Sequence, residues 1–414
     1  MLLNRIWIGM FVIAMIVAMS KLLFWQDLDV FNNLVDSLFS AANTGFTLSL
    51  SLTGILCFWM GIMKIGENGG AIKHLTRFVS PLFSKLFPEV PKDHPANGAM
   101  MMNFSANMLG LDNSATPLGL KAMKELQSLN PEKDRASNAQ IMFLVLNTSG
   151  LTLIPVSIFA LRADSASPTT VFLPILITTF ISSIFGLIFV SIRQKINLFQ
   201  PVIIAYLGSI SLLIGALLYY VINNPQNTDV ISNIAGNFII FLVIVLFMLL
   251  AWRKKVNVYE SFIDGAKEGF GVAISIIPYL VAMLAAIAVF RASGSLNVIT
   301  DGIKELAVIF GVTVLEWVDA LPVAFMKPLS GGGARGAYVE VMNHFGVDSM
   351  QEKIAATMQG STETTFYVLA VYFGSVNIKN TRYAAGVGLL CDFVGIISAI
   401  IISYLFYTNG YLVQ

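Results

Sequence analysis

The chain has 414 residues and a formal net charge of +1, with 56% hydrophobic and only 12% charged side chains. Soluble domains run nearer about 45–50% apolar and about 25% charged, so this composition, with a mean hydropathy of +0.76, excludes a water-soluble fold. The balanced charge offers no basic surface for nucleic acid. Cys57 and Cys391 stand in apolar stretches and read as small buried hydrophobes rather than a disulfide. His74, His94 and His344 are far apart and lack ligand spacing, so neither a metal nor a cofactor is expected.

A spanning helix needs roughly 20 mostly apolar residues. In chain order, nine stretches qualify: 6–24, 45–64, 140–161, 170–192, 202–222, 232–252, 270–290, 354–376 and 386–407. The first has no small-residue cleavage site behind it and further spans follow, so it reads as a retained helix, not a signal peptide. Two longer regions, 70–139 and 292–353, are punctuated by Gly, Asn and Pro and are too polar for ordinary spans. Within the first, AIKHLTRFVSPLFSKLF (71–87) sets Lys73, His74, Arg77 and Lys85 among Leu75, Phe78, Val79, Leu82 and Phe83. That mixture suits an interfacial helix on an anionic leaflet, with membrane lipids as partners.

Lys and Arg mark the cytoplasmic side. Arg5 before the first span, the group Lys64 to Lys92 after the second, Lys121 to Arg135 before the third, Arg193 and Lys195 after the fourth, Arg253 to Lys255 after the sixth, and Lys379 and Arg382 before the ninth all fall on one side, with Lys21, Arg162 and the basic residues of 291–353 as exceptions. The expectation is a bacterial inner-membrane protein with a cytoplasmic N-terminus and an external C-terminus. The first long region then approaches from inside and the second from outside.

The halves also share an order of features. VFNNLVDSLFSAANTGF from Val30 corresponds to VYESFIDGAKEGFGVAI from Val258, and each leads into an apolar span and a Gly-containing turn. An amphipathic stretch, a small-residue hairpin segment, a span that opens on polar residues and a closing apolar span follow in both. Because 202–222 has no counterpart, five spans separate equivalent points, and an odd number inverts the second copy. The expected fold is therefore an all-α polytopic membrane protein of two inverted repeats, 1–195 and 196–414, with 202–222 as linker helix. It has about nine spans, two re-entrant hairpins and two interrupted helices, a construction of secondary transporters.

Irregular backbone at membrane depth persists only where protein buries it or water reaches it. Four segments meet that description. Asn113, Ser114, Ala115, Thr116 and Pro117 read as a hairpin turn, with a helix starting at Thr116 or Pro117. Gly331, Gly332, Gly333 and Arg335 form the matching turn, where glycine lets backbone approach a ligand and open N–H groups favour an anion. A packing turn between close helices is the plainer account. Asn147, Thr148, Ser149 and Gly150, followed by Pro155, interrupt one span; Gln359, Gly360, Ser361, Thr362, Glu363, Thr364 and Thr365 interrupt the other. Hydrogen bonding between helices by Ser and Thr would explain part of this polarity. Glu363 is the deepest ionisable group, with Arg335 as its natural partner; paired, they lock the turn, and apart they hold a coupling H+ or Na+ and an anionic solute. Asp112 and Asp319 are further coupling-ion candidates.

NMLGLDNSATPLGLKAMKEL with LVLNTSGLTLIPVSIFALR resembles spore maturation protein A, and KPLSGGGARGAYVEVM with MQGSTETTFYVLAVYFGSVNIK resembles spore maturation protein B. The two stand fused here, joined near 195–202, and both belong to the nucleoside-recognition, or Gate, group. Asp112 occupies a position where the family pattern has glycine. The group is similar to the gate portions of concentrative nucleoside transporters and of ferrous-iron transport protein B. The resemblance implies two hairpins and two interrupted helices around one site, and relatives that carry dicarboxylate-like anions suit Arg335 and the three glycines. The leading reading is a secondary transporter for a small polar or anionic solute, nucleoside-like or carboxylate-like, with a homo-oligomer compatible with it. The alternatives are a non-transporting scaffold or regulator of envelope or spore maturation, and a lipid-carrier flippase. No nucleophile–base pair or phosphate loop can be assembled, so an enzyme is not expected.

Overall fold

The computed structural model describes residues 2–110, 112–224 and 228–407. The terminal residues 408–414, expected on the external side, and 225–227, in the turn expected there, lie outside the described residues. In chain order the helices are α1 (Leu2–Trp25), α2 (Val30–Gly69), α3 (Ala71–Leu86), α4 (Pro95–Met108), α5 (Asp112–Leu129), α6 (Asn138–Thr148), α7 (Val156–Leu161), α8 (Phe172–Gln194) and α9 (Pro201–Asn223). They continue as α10 (Thr228–Arg253), α11 (Val258–Ala292), α12 (Ser295–Ile309), α13 (Glu316–Asp319), α14 (Leu321–Met326), α15 (Gly331–Phe345), α16 (Met350–Ser361), α17 (Thr365–Ser375) and α18 (Ala384–Tyr407). The protein is an all-α polytopic membrane protein.

Six of the nine expected spans coincide with helices long and apolar enough to cross a bilayer, and the second part of 270–290 overlaps a bent pair, 280–292 and 295–309 at 71°, that is a seventh candidate if taken as one span. The remaining two, 140–161 and 354–376, are broken into α6/α7 and α16/α17. At 1.5 Å per residue α2, with 40 residues, runs about 60 Å, roughly twice a hydrocarbon core of about 30 Å. It therefore extends beyond the bilayer or tilts strongly.

The same sequence of elements occurs twice. α2 and α11 each end at a left-handed glycine, Gly70 at φ +86° and Gly294 at φ +88°, where the chain turns into the amphipathic α3 or α12. Hairpins α4–α5 and α13–α15 follow, then the broken pairs α6/α7 and α16/α17, then the closing helices α8 and α18. Counterparts pack antiparallel. Gly45 meets Val281, Leu56 meets Gly269 and Gly61 meets Phe262, so positions rise along α2 as they fall along α11. Likewise Gly186 lies on Cys391 and Ser182 beside Gly395.

Between lipid-embedded helices there is little hydrophobic drive, and small residues that admit close backbone contact hold the pair. A Cβ at Gly265 would sit 2.3 Å from the Met60 carbonyl oxygen, and one at Gly269 2.7 Å from that of Leu56. These glycines set the α2–α11 separation. Loops between halves join at both ends of the bundle. At one end Ala136 N–H donates to the Asn380 carbonyl (2.9 Å) and Lys379 N–H to that of Asp134 (2.8 Å). At the other, Arg162 reaches Asp348 (2.8 Å) and Glu352, with both Arg162 and Glu352 fully buried.

Candidate functional site

The two helix breaks touch. α6 starts at a capping box, Ser137 with Gln140, and stops at Thr148. Gly150 then takes a left-handed φ of +58°, and Pro155, which has no N–H to donate, precedes α7. α16 ends at Ser361 and Thr362 is extended. Glu363 N–H donates to the Thr148 carbonyl at 2.9 Å, which closes one break on the other. A Cβ at Gly150 would lie 3.0 Å from the Glu363 nitrogen. Each break is also tied to its own hairpin: Leu153 N–H donates to the Met108 carbonyl (2.7 Å) and Phe366 N–H to that of Pro328 (3.0 Å). Backbone groups released by the interruptions are thus spent on holding the four irregular segments together.

A cavity of about 130 Å³ opens at this crossing, walled by Leu56, Met60, Gly110, Thr152 and 154–158 of one half and by Val272, Lys327, Gly331, Arg335, Gln359, Gly360 and 362–364 of the other. Lys327 is buried and donates to the Gln359 carbonyl at 2.6 Å. Arg335 presents Nε, and Gln359 its side-chain oxygen, as buried atoms with no hydrogen-bond partner. The hairpin helix α15 begins at Gly331, and the hydroxyl of Ser330 caps it by accepting from Gly333 N–H (3.0 Å). The first N–H groups of a helix have no intrahelical acceptor and carry partial positive charge. Two cations and a helix start therefore face one carboxylate, Glu363, across a small polar space.

Of the residues expected here from the sequence, Gly331, Arg335, Gln359, Thr362, Glu363 and Thr364 line the cavity. Thr148, Ser149 and Ser361 are buried in the walls behind it, and Gly332 and Gly333 lie in the first turn of α15. Asn147 ties helices instead: its oxygen accepts from Asn107 Nδ2 (2.7 Å) and from the Tyr372 hydroxyl (3.3 Å), and its amide donates to the Phe143 carbonyl (2.8 Å). Asp319 pairs with Lys304 at 2.8 Å in a separate pocket shared with Arg291 and His344. The first hairpin differs from expectation. The chain turns at Leu109 and Gly110, and α5 is already helical from Asp112, so Asn113–Pro117 are first turns of a helix rather than a turn before one. Asn and Ser in a first helical turn satisfy the same local preferences that mark a turn, which makes the two indistinguishable by residue type. The side chains of Asp112, Asn113 and Ser114 lie outside the described residues; Thr116 is half-buried in α5.

Lys327 and Asp392 are the ionisable residues that sequence reading passed over. Each carried a signal, since Lys327 interrupts the apolar run before PLSGGG and Asp392 is the one charged residue of α18. At the far joint, Asp348 sits in the loop between α15 and α16. Burial pushes its carboxyl up, but hydrogen bonds from the Ser165 hydroxyl and Ala166 N–H, with Arg162 nearby, outweigh this and hold it below the ordinary 3.8.

Comparison with known proteins matches residues 49–164 and 273–379 to the family described as nucleoside recognition (Gate). Spore maturation protein A of Bacillus subtilis (strain 168) is 39% identical over 187 residues, covering 45% of this chain and 92% of that protein. Spore maturation protein B of the same organism is 44% identical over 169 residues, covering 41% of this chain and 93% of that protein. The two matched blocks contain both breaks and both hairpin turns.

Proposed function

The chain belongs to the nucleoside recognition (Gate) family, and on that premise we propose that it is a secondary transporter which moves a small anionic solute across the bacterial inner membrane. The halves 1–195 and 196–414 act as inverted repeats about the cavity, with the N-terminus cytoplasmic. The observation that carries this reading is the cavity between the breaks, to which both halves contribute and into which Lys327, Arg335 and the start of α15 project positive charge. Buried charge in a membrane interior is costly unless it is used or paired, and at the cavity two cations face one carboxylate. A scaffold would be expected to close its centre with self-satisfied bonds; here Arg335 Nε and Gln359 Oε1 are left for something else.

Size bears on the solute. At about 130 Å³ the cavity is smaller than the roughly 300–1,000 Å³ of pockets that hold drug-sized ligands, and at about 30 Å³ per water it takes about four waters. A small carboxylate fits the charge and nearly the volume, while a nucleoside requires the breaks to part. The test is uptake of labelled succinate and labelled uridine by proteoliposomes containing wild type, Arg335→Gln or Glu363→Gln. Succinate uptake that Arg335→Gln abolishes, with folding retained, is expected. Uptake equal in wild type and Arg335→Gln would remove Arg335 from the site, and absence of flux for every carboxylate and nucleoside tried would remove the transport reading.

A further inference from the structure

Asp392 lies in the middle of α18, is 1% exposed, and does not touch the cavity. The Thr365 hydroxyl donates to its Oδ2 at 2.6 Å. The Thr362 hydroxyl lies beside the carboxyl, but no well-formed hydrogen bond serves Thr362 Oγ1 or Asp392 Oδ1. An ionised carboxylate accepts about four hydrogen bonds, and this buried one receives a single well-formed one. A proton on the carboxyl would supply a donor that the neighbouring Thr362 oxygen can accept, and the under-served atoms would then share one bond.

The surroundings choose between a proton and a metal cation. Sodium or calcium would need a shell of several oxygens, but the wall around Asp392 is closely packed. A Cβ at Gly388 would meet Thr365 at 2.7 Å, and one at Gly395 would meet Thr362 at 2.6 Å. A proton needs no room. The charges that face Asp392 are Lys327, from the hairpin, and Glu363, from the second break. Neighbouring α6, α8 and α16 present the hydroxyls of Thr148, Ser182 and Ser361, and the membrane lengths of α9, α10 and α17 bring no charged side chain.

We infer that Asp392 is a proton-binding carboxyl that sets the charge of the central site. With Asp392 ionised, Lys327 and Arg335 are matched by Glu363 and Asp392; with it protonated, the group carries one net positive charge. Thr362 lines the cavity, and Thr365 opens the helix that follows it, so the proton and an anion in the cavity are felt by the same segment. Reciprocity then requires that anion binding raise the proton affinity of Asp392 as protonation raises the anion's. The proton site stands on its own geometry, and only its coupling to a carried anion rests on the transport reading.

The experiment is infrared difference spectroscopy of the protein in phospholipid across a pH series, which reads the C=O stretch of protonated carboxyls without any transport assay. Expected is a band that grows as pH falls, is missing in Asp392→Asn and persists in Glu363→Gln. Thr365→Val, which removes a bond made to the ionised form, should move its midpoint up by about one pH unit, and succinate should also move it up. If Asp392→Asn does not fold, Asp392→Glu keeps the carboxyl and should shift the band. A spectrum unchanged by substitution at Asp392, or a midpoint displaced by exchanging K+ for Na+, would overturn the assignment. An Asp392 band indifferent to succinate would keep the proton site and remove the coupling. Absent solute flux would sink transport while leaving the band in place.

Discussion

Gly150→Ala probes the contact on which the central site depends. Gly150 has φ +58°, where an L-residue costs about 1–2 kcal/mol. Its added methyl would stand 3.0 Å from the Glu363 nitrogen and 3.2 Å from the Thr362 carbonyl carbon, both backbone atoms that move only with the break itself. Relief of that contact separates the breaks and weakens the 2.9 Å bond from Glu363 N–H to the Thr148 carbonyl, a further loss of about 1 kcal/mol. The combined expectation is a destabilisation of about 2–4 kcal/mol. Gly98→Ala serves as control, because Gly98 lies within α4, a methyl added there would have nothing within 4 Å, and the variant should gain about 0.5–1 kcal/mol. Unfolding free energies of both variants in one detergent supply the comparison. If Gly150→Ala unfolds like wild type, the breaks do not cross as described, and the cavity built on that crossing falls with them.

The buried joint between halves gives two further expectations. Glu352→Gln leaves Arg162, fully buried, without its main counter-charge and also disturbs the 2.5 Å bond donated by the Tyr338 hydroxyl; a loss of about 3 kcal/mol or more is expected from unfolding measurements. Replacing the pair together, Arg162→Met with Glu352→Leu, should recover most of it, and a double variant as unstable as the single one would contradict a charge-burial cause. Asp348 is held below its ordinary value in the folded protein, so it contributes stability above pH 3.8 that is lost as pH falls through the lower folded value. An acid titration of stability should therefore lose that portion in Asp348→Asn, and identical acid limbs would show that the Ser165 and Ala166 bonds do not persist in solution.

Composition and the spacing of apolar runs determined that this chain resides in a membrane, because they are properties of local sequence, and the order of features along it suggested a repeated unit. The two interruptions were legible for the same reason: Asn147–Gly150 and Gln359–Thr365 place polar groups where an ordinary span has none. Family resemblance agreed with that reading at the residues that carry it. The hairpin turn was legible only to within a few residues, since Asn, Ser and Pro suit a turn and a helix start alike, and the choice between them depends on how α5 packs. What tertiary structure alone decided is which polar residues share a space. Arg335 and Glu363 meet at one cavity, Asp319 is drawn away to Lys304, and Asn147 is consumed in joining helices. Lys327 and Asp392, passed over in sequence, stand against the second break. Such assignments join residues that are far apart along the chain, and the antiparallel packing of the two copies, not any pattern within either, sets their distances.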